Sequence, residues 1–342
     1  MPDRGKIDTD TFDAVIAPHL GARRDDVTLG PQHGVDFGVL SIDESALVVA
    51  TDPISILPAL GFERAGRLAL DIVLTDVAVS GIAPTHVTVS LSLPPEMSND
   101  ELGQTWRGMA DHAENLGVSI VSGHTARYEG VEYSWVGGAT ALGVGDPDDI
   151  VRPDGANPGD AIVLATGPGA ETAGLFGTLF PEALDLPAET VATAQERVTD
   201  IRGVADATTA AAAGDLTAMH DATEGGVVGG LAEMATGADV TFAVEREAAP
   251  VQPGVEAVCD GIDVDPWTVT SAGSLLITAP PSAAEDVVAA LESRGTPAAI
   301  IGSVRDAGSE SPGVVLDGER VEPPASDPAW DAMARLQRTT RR

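Results

Sequence analysis

The chain has 342 residues and a formal charge of −34, from 53 acidic and 19 basic residues, and its one cysteine is Cys259. That length is enough for two domains with cores of their own, while the charge repels nucleic acid and anionic membranes. A lone cysteine excludes an intrachain disulfide framework and any multi-cysteine zinc or iron–sulfur site, and the only lysine, Lys6, stands in no GxxxxGK[ST] sequence, which excludes a P-loop.

Salt shortens the reach of such a charge to roughly 3 Å at 1 M, and lysine and aromatic residues are scarce, so the chain reads as a salt-adapted cytoplasmic protein. Most of its exposed acids are then expected to serve solvation. The polar opening MPDRGKIDTD is not a signal peptide, and no apolar run approaches the ~18 residues of a membrane span.

In chain order, a short amphipathic helix is expected near Thr11 to Leu20. Gly34 to Ile42 and Ala46 to Ala50 read as two strands joined by the polar turn Asp43-Glu44-Ser45; the first carries Asp36 and the second ends in Thr51-Asp52. From Glu63 to Ser80 a helix is expected with Leu68, Ile72 and Val79 on one face. Asp76 lies on that face. A short acidic side chain in mid-helix on an apolar face needs a partner, which a neighbouring hydroxyl, an arginine or a metal could provide. Gly81 and Pro84 stop the helix, and Thr85 to Leu93 alternates, with Val87, Val89, Leu91 and Leu93 on one side and His86, Thr88, Ser90 and Ser92 on the other.

Ser98 and Glu101 form a capping box for a structural helix carrying Leu102, Trp106, Met109, Ala113 and Leu116, which ends at Gly117. Val118 to Val121 is expected as a short buried strand leading into Ser122-Gly123-His124-Thr125, and a strand pair around Val131 to Val144 closes the first half. The Pro-, Gly- and Asp-rich run Asp146 to Asp160 marks a boundary.

Beyond it, strand Ala161 to Ala165 breaks into Gly167-Pro168-Gly169 and a helix, followed by an Ala-rich helical region from Ala188 to Ala213. Strand Leu216 to His220 runs into Asp221-Ala222-Thr223-Glu224-Gly225-Gly226 and a helix from Val227 to Ala235. An acid, a hydroxyl and two glycines at such a junction can hold phosphate or metal, and a plain glycine turn capped by Asp221 explains them equally well. Strands Val240 to Val244 and Ser274 to Thr278, helix Ala283 to Ser293, strand Ala298 to Val304, a Val314 to Val321 hairpin and a charged tail complete the chain.

Asp36, Asp52, Asp76 and His124 stand at or near the ends of apolar elements in one half, and Asp221 does so in the other. Carboxylates converging from separate elements would hold Mg²⁺ and a triphosphate without a P-loop.

These segments resemble a known superfamily: aminoimidazole ribonucleotide (AIR) synthetase, thiamine-monophosphate kinase, selenophosphate synthetase and the hydrogenase-maturation protein HypE. Gly34-Val35-Asp36-Phe37-Gly38-Val39 resembles its GDDAAV segment, with Val35 in place of one acid, and Thr51-Asp52 its TTD strand end. Thr75-Asp76-Val77-Ala78-Val79-Ser80-Gly81 resembles its NDLAVSG helix, and Gly123-His124-Thr125 the selenophosphate synthetase version of its GD segment. Asp221-Ala222-Thr223-Glu224-Gly225-Gly226-Val227 resembles the HypE segment DPTRGGL, and Ser271-Ala272-Gly273-Ser274-Leu275-Leu276 its SEGKLV run.

The resemblance, nearest to HypE, implies an α+β, PurM-like fold of two domains. Residues 1–150 would form a strand-rich ATP- and Mg²⁺-binding domain that dimerises through its sheet, residues 151–325 an α/β sandwich, and residues 326–342 a charged tail. It implies Asp36, Asp52 and Asp76 as metal ligands, with Asp52, Thr75, Asp76, Gly123, His124, Thr125, Gly225 and Gly226 around ATP. Asp221 and Thr223 would act on the acceptor. The expected activity is ATP-dependent activation of an oxygen on an unidentified small acceptor by a cytoplasmic homodimer that uses neither nucleic acid nor membrane. The alternatives are a non-catalytic ATP-binding partner protein related to HypE and a thiamine-monophosphate kinase-like kinase. The sequence finishes Leu336-Gln337-Arg338-Thr339-Thr340-Arg341-Arg342 without the C-terminal cysteine on which HypE acts, so that maturation reaction is not expected.

Overall fold

The computed structural model describes residues 5–309 and 311–340. The expected opening helix is present but irregular: α1 (Thr9–Thr11) continues as a wider π-helical stretch at Phe12–Ile16 and a tighter 3₁₀ turn at Ala17–His19, none of it buried. Val15, Ile16 and Leu20 remain exposed, because the segment has no core to pack its apolar side against.

The first sheet has the order β1-β2-β3-β6-β4-β5. Its strands are β1 (Val27–Leu29), β2 (Gly38–Ile42), β3 (Ser45–Ser55), β4 (His86–Leu93), β5 (Ser119–Arg127) and β6 (Trp135–Gly145). Strand β2 starts later than expected and β3 runs further, which puts Asp36 in the loop before β2 and Asp52 inside β3. The alternation predicted for β4 holds, with Val87, Val89, Leu91 and Leu93 buried. Strand β5 departs from expectation. It is the exposed edge strand, parallel to β4, rather than a short buried one, and Val121 is 54% exposed.

Helix α2 (Phe62–Ala78) lies between this sheet, α3 (Asn99–Leu116) and, from the second half, α6 (Gly203–Ala213). Hence it is buried on nearly all sides rather than along one stripe, and Ile72, expected on the core face, is only partly buried. Helix α3 begins with the Ser98/Glu101 capping box and ends at left-handed Gly117, as its sequence predicts. The two helices touch through glycine. A Cβ on Gly66 would stand 2.2 Å from the Thr105 carbonyl oxygen, and one on Gly108 only 1.9 Å from that of Glu63.

Gly108→Ala should therefore lower stability by about 2–3 kcal/mol, although alanine gains about 1 kcal/mol of intrinsic helix propensity. Urea unfolding monitored by circular dichroism measures this, and a stabilised variant would show that α2 and α3 can separate without loss. Asp71 adds a polar tie among three helices: one carboxylate oxygen lies 2.7 Å from His112 Nε2 on α3, and the other accepts the Gly203 N–H at 2.9 Å at the start of α6.

The second sheet has the order β13-β12-β9-β11-β7-β10-β8. Strand β7 (Ala161–Ala165) leads to α4 (Ala170–Leu179), and the expected long Ala-rich helix divides into α5 (Ala188–Glu196) and α6 (Gly203–Ala213). Strand β8 (Ala218–Asp221) leads to α7 (Gly226–Ala238), followed by β9 (Val240–Val244), α8 (Val255–Gly261) and β10 (Leu275–Ala279). Then come α9 (Pro281–Ser293), β11 (Ala298–Asp306) and the hairpin β12 (Gly313–Leu316) with β13 (Glu319–Val321). Buried side chains of α2 and the first sheet form one continuous core with α6, α9 and β7. Cys259 is fully buried among Val255, Val258 and Ile262, a packing role that its sequence setting suggests.

The charged tail has a structure that was not expected. It forms α10 (Pro328–Thr340), with Ala329 and Ala332 buried and Met333 and Leu336 packed on the α4 and α8 core. Asp327 before it accepts the Ala329 N–H at 2.8 Å, and Pro328 occupies the first helical position, so a helix start was written in the sequence. No helix among the described residues is long and apolar enough to cross a membrane.

Candidate functional site

The two halves meet at a set of buried carboxylates. The loop before β2 supplies Asp36, β3 supplies Asp52 from its middle, α2 supplies Asp76, and the end of β8 supplies His220 and Asp221. Helix α7 adds Glu233. His220 Nε2 lies 2.8 Å from Glu233 Oε2, and its Nδ1 lies 3.0 Å from Asp36 Oδ2 and 3.7 Å from Asp221 Oδ1. Asp36, His220 and Asp221 each offer a ligand atom within 4.8 Å of the other two. Asp36 Oδ2, His220 Nδ1 and Asp221 Oδ1 are buried and make no well-directed hydrogen bond, so what joins Asp36 to His220 at 3.0 Å is their charge. Two carboxylates crowded this closely in a buried place need positive charge, so the donor set fits a cation held by the two carboxylate oxygens. His220 would join as a ligand once it gives up its Nδ1 proton, with Glu233 orienting the ring.

The electrostatics of the site follow from crowding. Burial, then the charges of Asp221, Asp36 and Asp52, raises the Asp76 carboxyl well above the ordinary aspartate value. Burial and the Asp36 charge push Asp221 up to about 7, partly opposed by His220 and Lys6. Asp52 is pushed up to about 6, chiefly by burial. For Asp36 burial acts upward, but His220 and Lys6 together hold it well below the usual range. His220 is raised in turn: burial disfavours its charge, yet Asp36 and Glu233 outweigh burial. Several acids thus share too little positive charge, the condition a bound divalent cation relieves.

The other expected site residues fall in different places. Thr75 is buried with its hydroxyl donating to the Asp71 carbonyl at 2.7 Å, and it packs on Gly203 rather than facing the acids. Gly123, His124 and Thr125 lie on exposed β5, where His124 Nε2 meets Tyr128 Oη at 3.1 Å. His124 pairs with Ser90, Ser90 with Gly138, and Gly138 with Pro53. That separates His124 from the Asp52 level by three strand spacings, roughly 14 Å. Gly225 and Gly226 have positive φ, 79° and 63°, which makes the turn, but their N–H groups are already used, donating to Asp327 Oδ2 and the Thr223 carbonyl at 3.0 Å each. Neither amide is free for phosphate in this arrangement. Thr223 Oγ1 accepts from Lys6 Nζ at 3.2 Å.

Lys6, His220 and Glu233 are the site residues that the sequence reading missed. A sole lysine in so acidic a chain, and a histidine preceding the motif acid, were the available signals. Glu233 stands out as the one acid in the apolar helix α7, which its pairing with His220 explains.

Residues 34–144 match the model of the AIR synthase related protein N-terminal domain, and residues 157–315 that of the C-terminal domain. The chain belongs to the AIR synthase related family. Within that family it is similar to carbamoyl dehydratase HypE of Rhizobium leguminosarum bv. viciae, 28% identical over 79% of this chain and 77% of that protein. It is also similar to selenide, water dikinase of Geobacter sp. (strain M21), 31% identical over 85% of this chain and 90% of the other. Among solved structures, that of hydrogenase maturation protein HypE in complex with ATP aligns with a TM-score of 0.63 and 25% identity, covering 90% of this chain and 88% of that one.

Proposed function

We propose that this AIR synthase related protein is an ATP-dependent enzyme that activates an oxygen of a small acceptor by phosphoryl transfer. The observation that carries the reading is the junction of carboxylates from both halves, where Asp36, His220 and Asp221 offer ligand atoms within 4.8 Å of one another. Asp36 and Asp221, with His220 beside them, would hold Mg²⁺, and Asp52 and Asp76 would complete its negative surroundings. A magnesium ion bound there supplies charge neutralisation for the phosphates of ATP. The chain's own part is to fix the acids on rigid elements, to exclude water through the packing of α2, and to bring the Thr223 hydroxyl to the edge of the cluster. A relative named as a dikinase, and a HypE solved in complex with ATP, support the nucleotide. Residues 1–150 would carry most of the ATP site and residues 151–325 the acceptor side.

The test is ATP consumption by purified protein in molar KCl, with and without a panel of small hydroxyl, amide and carboxylate metabolites. Slow turnover that a single acceptor accelerates supports the reading. A well-folded protein that binds Mg·ATP, never hydrolyses it and responds to no acceptor would instead be a binding partner.

The same reading includes a homodimer. The outward face of the first sheet carries Trp135 and Val144, both more than half exposed, while Thr51 and Thr140 bond across it at 2.9 Å. Pairing two such faces would cover the apolar side chains. Light scattering in molar KCl should give twice the monomer mass at micromolar protein, and a monomer mass would remove the dimer from the proposal. The charge of −34 makes salt-rich cytoplasm the setting in which this assembly is stable.

A further inference from the structure

We infer that Lys6, beside His220, is a resident counter-ion of the carboxylate cluster and is expelled from it when a divalent cation binds, so that the segment around Gly5-Lys6 is a strap released by the metal. The inference rests on the divalent-ion reading of Asp36, His220 and Asp221. Lys6 is the only lysine in the chain, and its ammonium lies 3.5 Å from Asp36 Oδ1 and donates to Thr223 Oγ1 at 3.2 Å. Its backbone N–H donates to Glu224 Oε2 at 2.8 Å. Gly5 permits that approach: with φ of +99°, a Cβ there would stand 2.2 Å from the same Glu224 oxygen.

The strap is thus tied to Asp36 and to the turn after β8 by these polar contacts. Residues 7 to 11 beyond it are exposed, Ile7 among them, so no apolar packing anchors the strap there. Burial weighs against the charge of its ammonium, but Asp36, Glu233, Asp221 and Asp76 together outweigh it, and about half of the side chain as a whole is open to solvent. Lys6 can therefore leave without opening a buried void.

Asp36 is claimed twice. One of its oxygens faces Lys6 and the other belongs to the three-atom ligand set, so a divalent ion in that set and the ammonium would be like charges on one carboxylate. Repulsion at that range favours the ion with the higher charge and more ligands, and the ammonium has solvent to go to. Once Lys6 leaves Thr223, the Thr223 hydroxyl becomes available to whatever enters with the metal.

A single lysine makes the test direct. The full-length protein in molar KCl is acetylated with an amine-reactive ester, and Lys6 modification is measured by peptide mass spectrometry against the α-amino group. Mg²⁺ alone should accelerate Lys6 acetylation by about threefold or more, and Asp36→Asn should acetylate fast with or without Mg²⁺. Calorimetry should find Mg²⁺ bound about tenfold more tightly by Lys6→Gln than by the wild type. Acetylation that Mg²⁺ slows or leaves unchanged, or weaker Mg²⁺ binding by Lys6→Gln, overturns the exchange. Absence of Mg²⁺ binding in both proteins also overturns it, while the nucleotide reading is decided separately by titrating Mg·ATP into wild type and Asp76→Asn.

Discussion

Asp76→Asn should weaken Mg·ATP binding about 100-fold while leaving the fold intact. Asp76 is held on α2, a helix packed on nearly every side, so its carboxyl cannot turn away, and it feels the charges of Asp221, Asp36 and Asp52. In the metal-free protein that crowding is a cost. Asparagine keeps the shape and removes one of the mutually repelling carboxylates, so the melting temperature without Mg²⁺ should hold or rise. With Mg·ATP the order should reverse, because the wild type gains ligand stabilisation that the variant lacks. Calorimetry for affinity and thermal melts with and without Mg·ATP measure both halves of the expectation. Unchanged nucleotide affinity would return Asp76 to the role of a buried structural acid.

The second large effect is expected at Asp221. By sequence alone, Asp221 and Thr223 belong to the acceptor side, apart from the nucleotide acids. The fold brings Asp221 into the same ligand set as Asp36, at the end of a strand that is buried on both faces. Asp221→Asn should therefore reduce ATP turnover in molar KCl by about 100-fold or more and raise the Mg²⁺ concentration needed for half-maximal rate. Mg·ATP affinity should fall alongside, as in Asp76→Asn. If Asp221→Asn bound Mg·ATP like the wild type and lost only stimulation by acceptor, Asp221 would belong to the acceptor side and the joint cluster would not be the metal site. Salt must be held constant in these assays, since unfolding at low salt would imitate lost activity.

Local chemistry made much of this readable in advance. The capping box at Ser98 and Glu101, the alternation of Val87 to Leu93, and the strand-to-helix junctions at Gly167 and Gly225 are each specified within a few residues, and the structure reproduces them. The helix at the chain's end was equally legible in Asp327-Pro328 and the spacing of Ala329, Ala332, Met333 and Leu336, but charge obscured it.

Residue order alone establishes the class of chain: strongly acidic, without P-loop or cysteine chemistry, with acids placed on or beside apolar elements that resemble one superfamily. Tertiary structure alone decided which of those acids meet. Asp36 and Asp221 lie in different halves of the chain, and only the shared core of α2, α6 and β7 brings them to one point, where His220 and Lys6 become their counter-ions. The same packing sent Thr75 to the helix junction and left His124 on an edge strand. Spacing along a chain reports what neighbours on one element can do, whereas convergence of separate elements depends on how their buried faces fit together.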